Sequence, residues 1–173
     1  MVSARGSRRT GSARRKSAEP GPRLVFLEDR GAVYDAPLEV LWDFMTSDDT
    51  FHPQAHKGSV RNFRSKALSE LSVVLSWDEK LDGTWQRRIA RMTTIRPAVR
   101  VQEDLVGPWA GSKLVFVYSP RGPRTLVDVL CYMRHAQLTE KQVKSEWRKN
   151  FSQNYREDKP WLRKFARSRS DSS

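Results

Sequence analysis

Cysteine is nearly absent from this chain. Cys131 stands alone in 173 residues, so no intrachain disulfide can form, and the expected setting is a reducing compartment, the cytoplasm. Long apolar runs are missing too. No stretch approaches the about 18 uninterrupted apolar residues of a membrane span, and the opening residues lack the apolar region of roughly 7–15 residues that a secretory signal requires. Their arginine- and serine-rich character is superficially that of a transit peptide, but no alternating apolar residues accompany it. The Gly-x-Ser-x-Gly, Walker and dinucleotide-binding fingerprints do not occur, so the chemistry those motifs carry has no local signature here. Acidic residues do occur in adjacent pairs: Asp48-Asp49, Asp78-Glu79 and Glu103-Asp104. Neighbours on a strand face opposite sides, which makes such pairs poor acid/base dyads. No cofactor is expected.

Positive charge is plentiful. The net charge is +12, a value that raises the question of nucleic acid or an anionic surface as partner. Its distribution argues for a milder role. Arg5, Arg8, Arg9, Arg14, Arg15 and Lys16 face only Glu19 within residues 1–22, and Arg163, Lys164, Arg167 and Arg169 crowd the other end. Residues 1–22 have almost nothing to bury and read as a disordered basic tail. Residues 167–173 read as a second tail. Weak, non-specific polyanion binding by these tails is the expectation. Residues 23–166 form one domain, large enough to hold together without metal or disulfide.

Within that domain the periodicity changes twice. Leu24–Tyr34 is β-prone, with Gly31 marking a bulge or bend. Ala36-Pro37 then opens a helix, since proline is tolerated in a first turn. Leu38, Leu41, Trp42 and Met45 share its apolar face. A second short helix runs through Phe51 to His56, capped by Asp48-Asp49 and ended by Gly58. From Val60 to Met133 the chain reads as consecutive strands. Leu71, Val73, Leu75 and Trp77 alternate with polar residues, Asp82-Gly83 turns the chain, and strands follow at Thr84–Ile95 and Val99–Val106. Lys113–Tyr118 is nearly all apolar and is expected to be central and covered on both faces. In the last strand Val127, Val129, Cys131 and Met133 share one face. Short connections between strands favour antiparallel pairing. Thr139-Glu140-Lys141-Gln142 fits a capping box, with Leu138 and Val143 placed as a hydrophobic staple. The helix it opens carries a stripe of Val143, Trp147, Phe151, Tyr155, Leu162 and Phe165, interrupted by Pro160, where a kink or restart is expected.

The segment Val33-Tyr34-Asp35-Ala36-Pro37-Leu38-Glu39-Val40-Leu41-Trp42-Asp43-Phe44, read with this order of elements, resembles the START/Bet v 1-like (SRPBCC) superfamily of polyketide cyclases, dehydrases and lipid-transport proteins. The resemblance spans roughly residues 23–165. It implies an α+β helix-grip fold: a curved antiparallel sheet of about six to seven strands wrapped around a long C-terminal helix, with two short helices after the first strand. It also implies a cavity between helix and sheet for apolar molecules. No fixed catalytic motif transfers to this sequence.

On that reading the candidate ligand-binding residues are Trp42, Phe51, His56, Trp77, Phe116, Tyr118, Trp147, Phe151 and Tyr155, with His56 or Tyr155 orienting the ligand. His52 and His56 have the spacing of a zinc-binding pair, but Pro53 lies between them and a third ligand is not evident among His135, Asp48, Asp49 and Glu79. No metal site is expected. In the strand bearing Arg87, Arg88 and Arg91, one arginine could point inward and hold a ligand anion, against an outer face paired with Glu103 or Asp104. Cys131 reads as a buried, inert thiol. The expected function is binding, transport or sequestration of a small hydrophobic or amphipathic ligand. The alternatives are a cyclase- or dehydratase-type enzyme, using His56 or Tyr118, and polyanion binding through the basic segments.

Overall fold

A computed structural model describes residues 24–47, 52–81, 83–95 and 98–170. Seven strands, β1 (Val25–Tyr34), β2 (Val60–Ser69), β3 (Ser72–Leu81), β4 (Thr84–Ile95), β5 (Val99–Val106), β6 (Lys113–Arg121) and β7 (Arg124–Met133), alternate with three helices: α1 (Leu38–Met45), α2 (His52–Ala55) and α3 (Glu140–Ser170). The sheet is antiparallel throughout, in the order β1-β7-β6-β5-β4-β3-β2. From β2 to β7 each strand pairs with its predecessor, as short connections require. Only β1 departs from this order. Its pairing with β7 places it at the far edge from β2, and α1 and α2 bridge the gap. The sheet curves around α3, as the helix-grip reading anticipates.

Two glycines take backbone positions closed to other residues. Gly31, at φ +89°, sits where the β1–β7 register shifts between Asp29 and Ala32, so the expected bulge is present. Gly107 follows β5 at φ +110°, and a Cβ there would come within 2.7 Å of the Arg87 carbonyl oxygen. Only glycine fits so close an approach.

Pro37 serves as the N-cap of α1, which buries Leu41, Trp42, Phe44 and Met45. In α2 the second residue is Pro53. Its missing N–H lies in a first turn, where no helical bond is lost, and it therefore does not prevent the helix. The capping box of α3 is formed in both directions: the Thr139 amide donates to Gln142 Oε1 at 2.9 Å and the Gln142 amide to Thr139 Oγ1 at 3.4 Å. Leu138 packs against the cluster that holds buried Val143, consistent with the staple. No restart occurs at Pro160, because its ring lies on the exposed face and α3 runs unbroken through it. The helix continues to Ser170, through four residues assigned above to a tail. No helix among the described residues is long and apolar enough to cross a membrane.

Three apolar clusters form the interior. One joins α1 to the second half of α3 through Tyr34, Leu41, Trp42, Phe44 and Leu162. Another joins the first half of α3 to β6 and β7 through Val143, Trp147, Leu114, Cys131 and Met133. The third, Leu75, Trp77, Ala90 and Met92, belongs to β3 and β4. The residues of β6 that turn away from the helices, Val115 and Val117, are only half buried. Contrary to expectation, then, β6 is covered on one face: among the described residues the helices lie on one side of the sheet, and neighbouring side chains alone shield the other.

Candidate functional site

The clusters do not close on one another. Between α3 and the concave face of β3–β5 lies a cavity of about 670 Å³. Leu75, Trp77, Met92, Phe116, Val129, Trp147 and Phe151 supply its apolar wall. Trp147 and Phe151 pack ring to ring at 4.7 Å, and Phe116 stacks on Phe151 at 6.4 Å.

Of the nine candidate residues, His56, Trp77, Phe116, Tyr118, Trp147, Phe151 and Tyr155 border this space. Trp42 does not. It is buried in the α1 cluster with its ring edge against Tyr118, at 5.5 Å, so it supports the wall from behind. Phe51 lies outside the described residues, as do Asp48 and Asp49.

One end of the cavity is polar. Asp158 of α3 is buried, 3 % exposed, and receives the Tyr34 hydroxyl on Oδ2 at 3.0 Å. Its Oδ1 lies 3.2 Å from His56 Nε2 and 3.6 Å from His52 Nε2, in ion-pair range but out of line for a hydrogen bond. The other nitrogen of His56, Nδ1, is 2.8 Å from Glu157 Oε2, and Gln153 donates to the second oxygen of Glu157 at 2.8 Å. Tyr155 donates its hydroxyl to the Val33 carbonyl.

Protonation follows from these surroundings. Burial pushes the His52 pKa down to about 4 despite the pull of Asp158. Burial opposes charge on His56 too, but the carboxylates of Asp158 and Glu157 outweigh it and raise the pKa. Burial and then the charge of Asp158 raise Tyr34 well above the ordinary phenol range. Near neutral pH the cluster therefore holds a neutral His52 and a protonated Tyr34.

A second polar group lies under β4. Arg88 is the arginine that points inward, and its partners are protein carboxylates. Nε and Nη2 grip Asp104 at 3.1 and 2.7 Å, Nη1 reaches Glu79 at 2.9 Å, and the guanidinium lies over Trp77 at 5.1 Å. Arg87 and Arg91 face outward and pair with Asp78 and Glu103. Arg100, also on the cavity wall, is buried and donates to the Met45 carbonyl. The basic stripe of β4 is thus largely neutralised by its neighbours, and residues 1–22 lie outside the described residues.

Sequence reading missed Asp158, Glu157 and Tyr34. A signal for Asp158 existed. The α3 stripe steps through 147, 151, 155 and 162, and 158 completes that series. A carboxylate at a position facing the core needs a buried partner.

No protein-family model and no curated protein sequence matches the chain. Solved structures do. The Zhui aromatase/cyclase from Streptomyces sp. R1128 is similar over 84 % of this chain and 95 % of its own, at 12 % identity and a TM-score of 0.65. A START superfamily protein from Mycobacterium smegmatis is similar over 83 % and 99 %, at 15 % identity and a TM-score of 0.66. Ara h 8.0201 is similar over 82 % and 98 %, at 9 % identity and a TM-score of 0.59. The chain has the START/Bet v 1-like fold. Identities this low carry the architecture alone. The START/Bet v 1-like frame accounts for why the cavity lies between α3 and the curved sheet. Its polar end, built on α2 and α3, is read from this chain's own residues.

Proposed function

We propose that this protein binds a small hydrophobic or amphipathic molecule between α3 and the sheet, for transport or sequestration. The observation that carries this reading is the cavity itself. Its volume of about 670 Å³ falls within the roughly 300–1,000 Å³ of small-molecule sites. Its wall is largely apolar and aromatic, with polar groups around Asp158, His56 and Tyr34 and a second set, Arg88 and Glu79, whose charges pair with each other. Such a lining suits a ligand with an apolar body and a polar group that meets the Asp158 cluster. Filling such a cavity gains the dispersion contacts and hydrophobic stabilisation that an empty one forfeits.

The test is a thermal-shift and native mass-spectrometry panel of fatty acids, sterols and polycyclic aromatic carboxylates, with the Met92→Trp variant beside the parent chain. Met92 lines the cavity from β4, and a tryptophan there occupies ligand space. The expected result is a saturable rise in Tm with at least one class, weakened about tenfold or more in Met92→Trp, since a ligand that fills the cavity loses contacts to the larger ring. A panel without any shift, or a shift indifferent to Met92→Trp, contradicts the reading.

A cyclase- or dehydratase-type enzyme on this fold is the second reading. It is favoured by the cluster of titratable groups with displaced pKa values on the cavity wall, since such groups concentrate at catalytic sites. Turnover of a bound ligand that is lost in His56→Gln, with binding retained, would support it over plain binding.

A further inference from the structure

The two histidines of α2 and its C-terminal end converge with Asp158 on one point. One nitrogen from each imidazole and one Asp158 oxygen all lie within 4.8 Å of one another. Asp158 Oδ1 is 3.2 Å from His56 Nε2 and 3.6 Å from His52 Nε2. Donor atoms bound to a single zinc-like ion at roughly 2.0–2.2 Å stand roughly 3.0–3.6 Å apart. We propose that His52, His56 and Asp158 form a binding site for one divalent first-row transition-metal ion at the polar end of the cavity.

The donor set is independent support. Two imidazoles and one carboxylate suit zinc or ferrous iron, whereas calcium and magnesium prefer oxygen donors throughout. The surroundings match as well. Asp158 Oδ2 is occupied by the Tyr34 hydroxyl, which leaves Oδ1, a buried atom that accepts no hydrogen bond, directed at both imidazoles. His56 turns its other nitrogen to Glu157, and Gln153 in turn holds Glu157. A carboxylate on the remote nitrogen fixes the ring and raises its basicity as a ligand.

Three protein ligands leave coordination positions for other donors. All three residues line the cavity, so water or an oxygen of a bound molecule would fill those positions from the cavity side. The proposal stands on the side-chain cluster and does not depend on whether an apolar ligand binds.

The experiment uses the full, untagged chain after treatment with a chelator. Zn2+ is titrated calorimetrically and by 15N-detected histidine NMR, and Co2+ by visible absorption. The expected result is one ion per chain, shifted ring-nitrogen resonances for His52 and His56, and unmoved resonances for His135, the third histidine of the chain. Co2+ should develop the absorption of a mixed nitrogen and oxygen site. Asp158→Asn and His52→Asn should each weaken Zn2+ about 100-fold or more, because each removes a ligand rather than an outer partner. The parent-chain NMR decides the matter even if a variant fails to fold. Absence of stoichiometric binding, or shifts centred on His135, overturns the proposal. Variants that fold and bind Zn2+ as tightly as the parent overturn it equally. Because these readouts require no organic ligand, failure here is distinguishable from failure of the ligand-binding reading.

Discussion

The Tyr34 hydroxyl donates to Asp158 Oδ2 over 3.0 Å, joining two buried residues 124 positions apart in the chain. The bond ties the end of β1 to the middle of α3 and occupies one oxygen of Asp158. Tyr34 also meets Tyr155 edge to face at 5.0 Å, so the ring itself is held by packing.

Tyr34→Phe should keep that packing and lose only the hydroxyl. A hydrogen bond to a charged acceptor contributes about 1.5–3 kcal/mol, and a buried acceptor deprived of its donor incurs the desolvation cost. Urea unfolding should therefore show a loss of about 2 kcal/mol at unchanged m-value, and a loss below about 0.5 kcal/mol would mean that solvent replaces the bond.

Arg88 should be far less replaceable than Arg91. Both arginines pair with carboxylates, but the Asp104 side chain is 0 % exposed, whereas the Arg91 side chain is 48 % exposed. Arg88→Met strands a buried charge and should cost about 3–5 kcal/mol. Arg91→Met should cost less than about 1 kcal/mol. The double variant Arg88→Met with Asp104→Leu should recover much of the loss, and chemical denaturation of the four chains measures it. Equal effects of the two single variants would contradict this account of β4.

Cys131 offers a pH test. It is fully buried, and burial pushes its pKa from 9.0 up to about 12. Above pH 9 the unfolded chain releases the thiol proton while the folded chain keeps it, so stability falls as pH rises through this window. The slope from this one group is about 1.4 kcal/mol per pH unit. Cys131→Ala should show a shallower decline between pH 9 and 11 than the parent. Iodoacetamide should modify the thiol only after denaturant is added. A rapid reaction with the native protein would show that the thiol is not enclosed.

Much of the fold was legible because it rests on local rules. The strands at Thr84–Ile95 and Val99–Val106 follow from period-two alternation and from the breakers between them, and they end where those residues predict. The capping box at Thr139 and the bulge at Gly31 follow from single residue types with definite backbone roles. Pro160 shows the limit of a local rule. Proline removes one helical bond, but with its ring facing solvent and Asp158 and Leu162 buried on either side, tertiary packing carries the helix through.

The site was less legible because pairing is not a local property. Period two places Arg87 and Arg88 on opposite faces but does not say which face is concave, and only the fold brings Asp104 beneath Arg88. A carboxylate in a helix normally lies on the wet face, and the partners that bury Asp158 come from β1, α2 and the residue after it. His52 and His56 have no third partner near them in sequence, and the carboxylate that joins their cluster, Asp158, lies about a hundred residues further along the chain. Trp42 is a cavity candidate on the family resemblance, as an aromatic on the apolar face of α1. Its neighbours turn out to be core.

The central claim is that a ligand occupies the space between α3 and the sheet. The direct measurement is a methyl NMR titration with an amphipathic aromatic carboxylate such as 2-naphthoate, read at Leu75, Met92, Val127, Val129 and Met133, which border the cavity. Leu68, Leu71 and Ile95, exposed on the surface, serve as references. Saturable shifts at the cavity methyls with the references unmoved are the predicted result. Shifts confined to the exposed methyls, or none at concentrations up to the solubility of the probe, would contradict it.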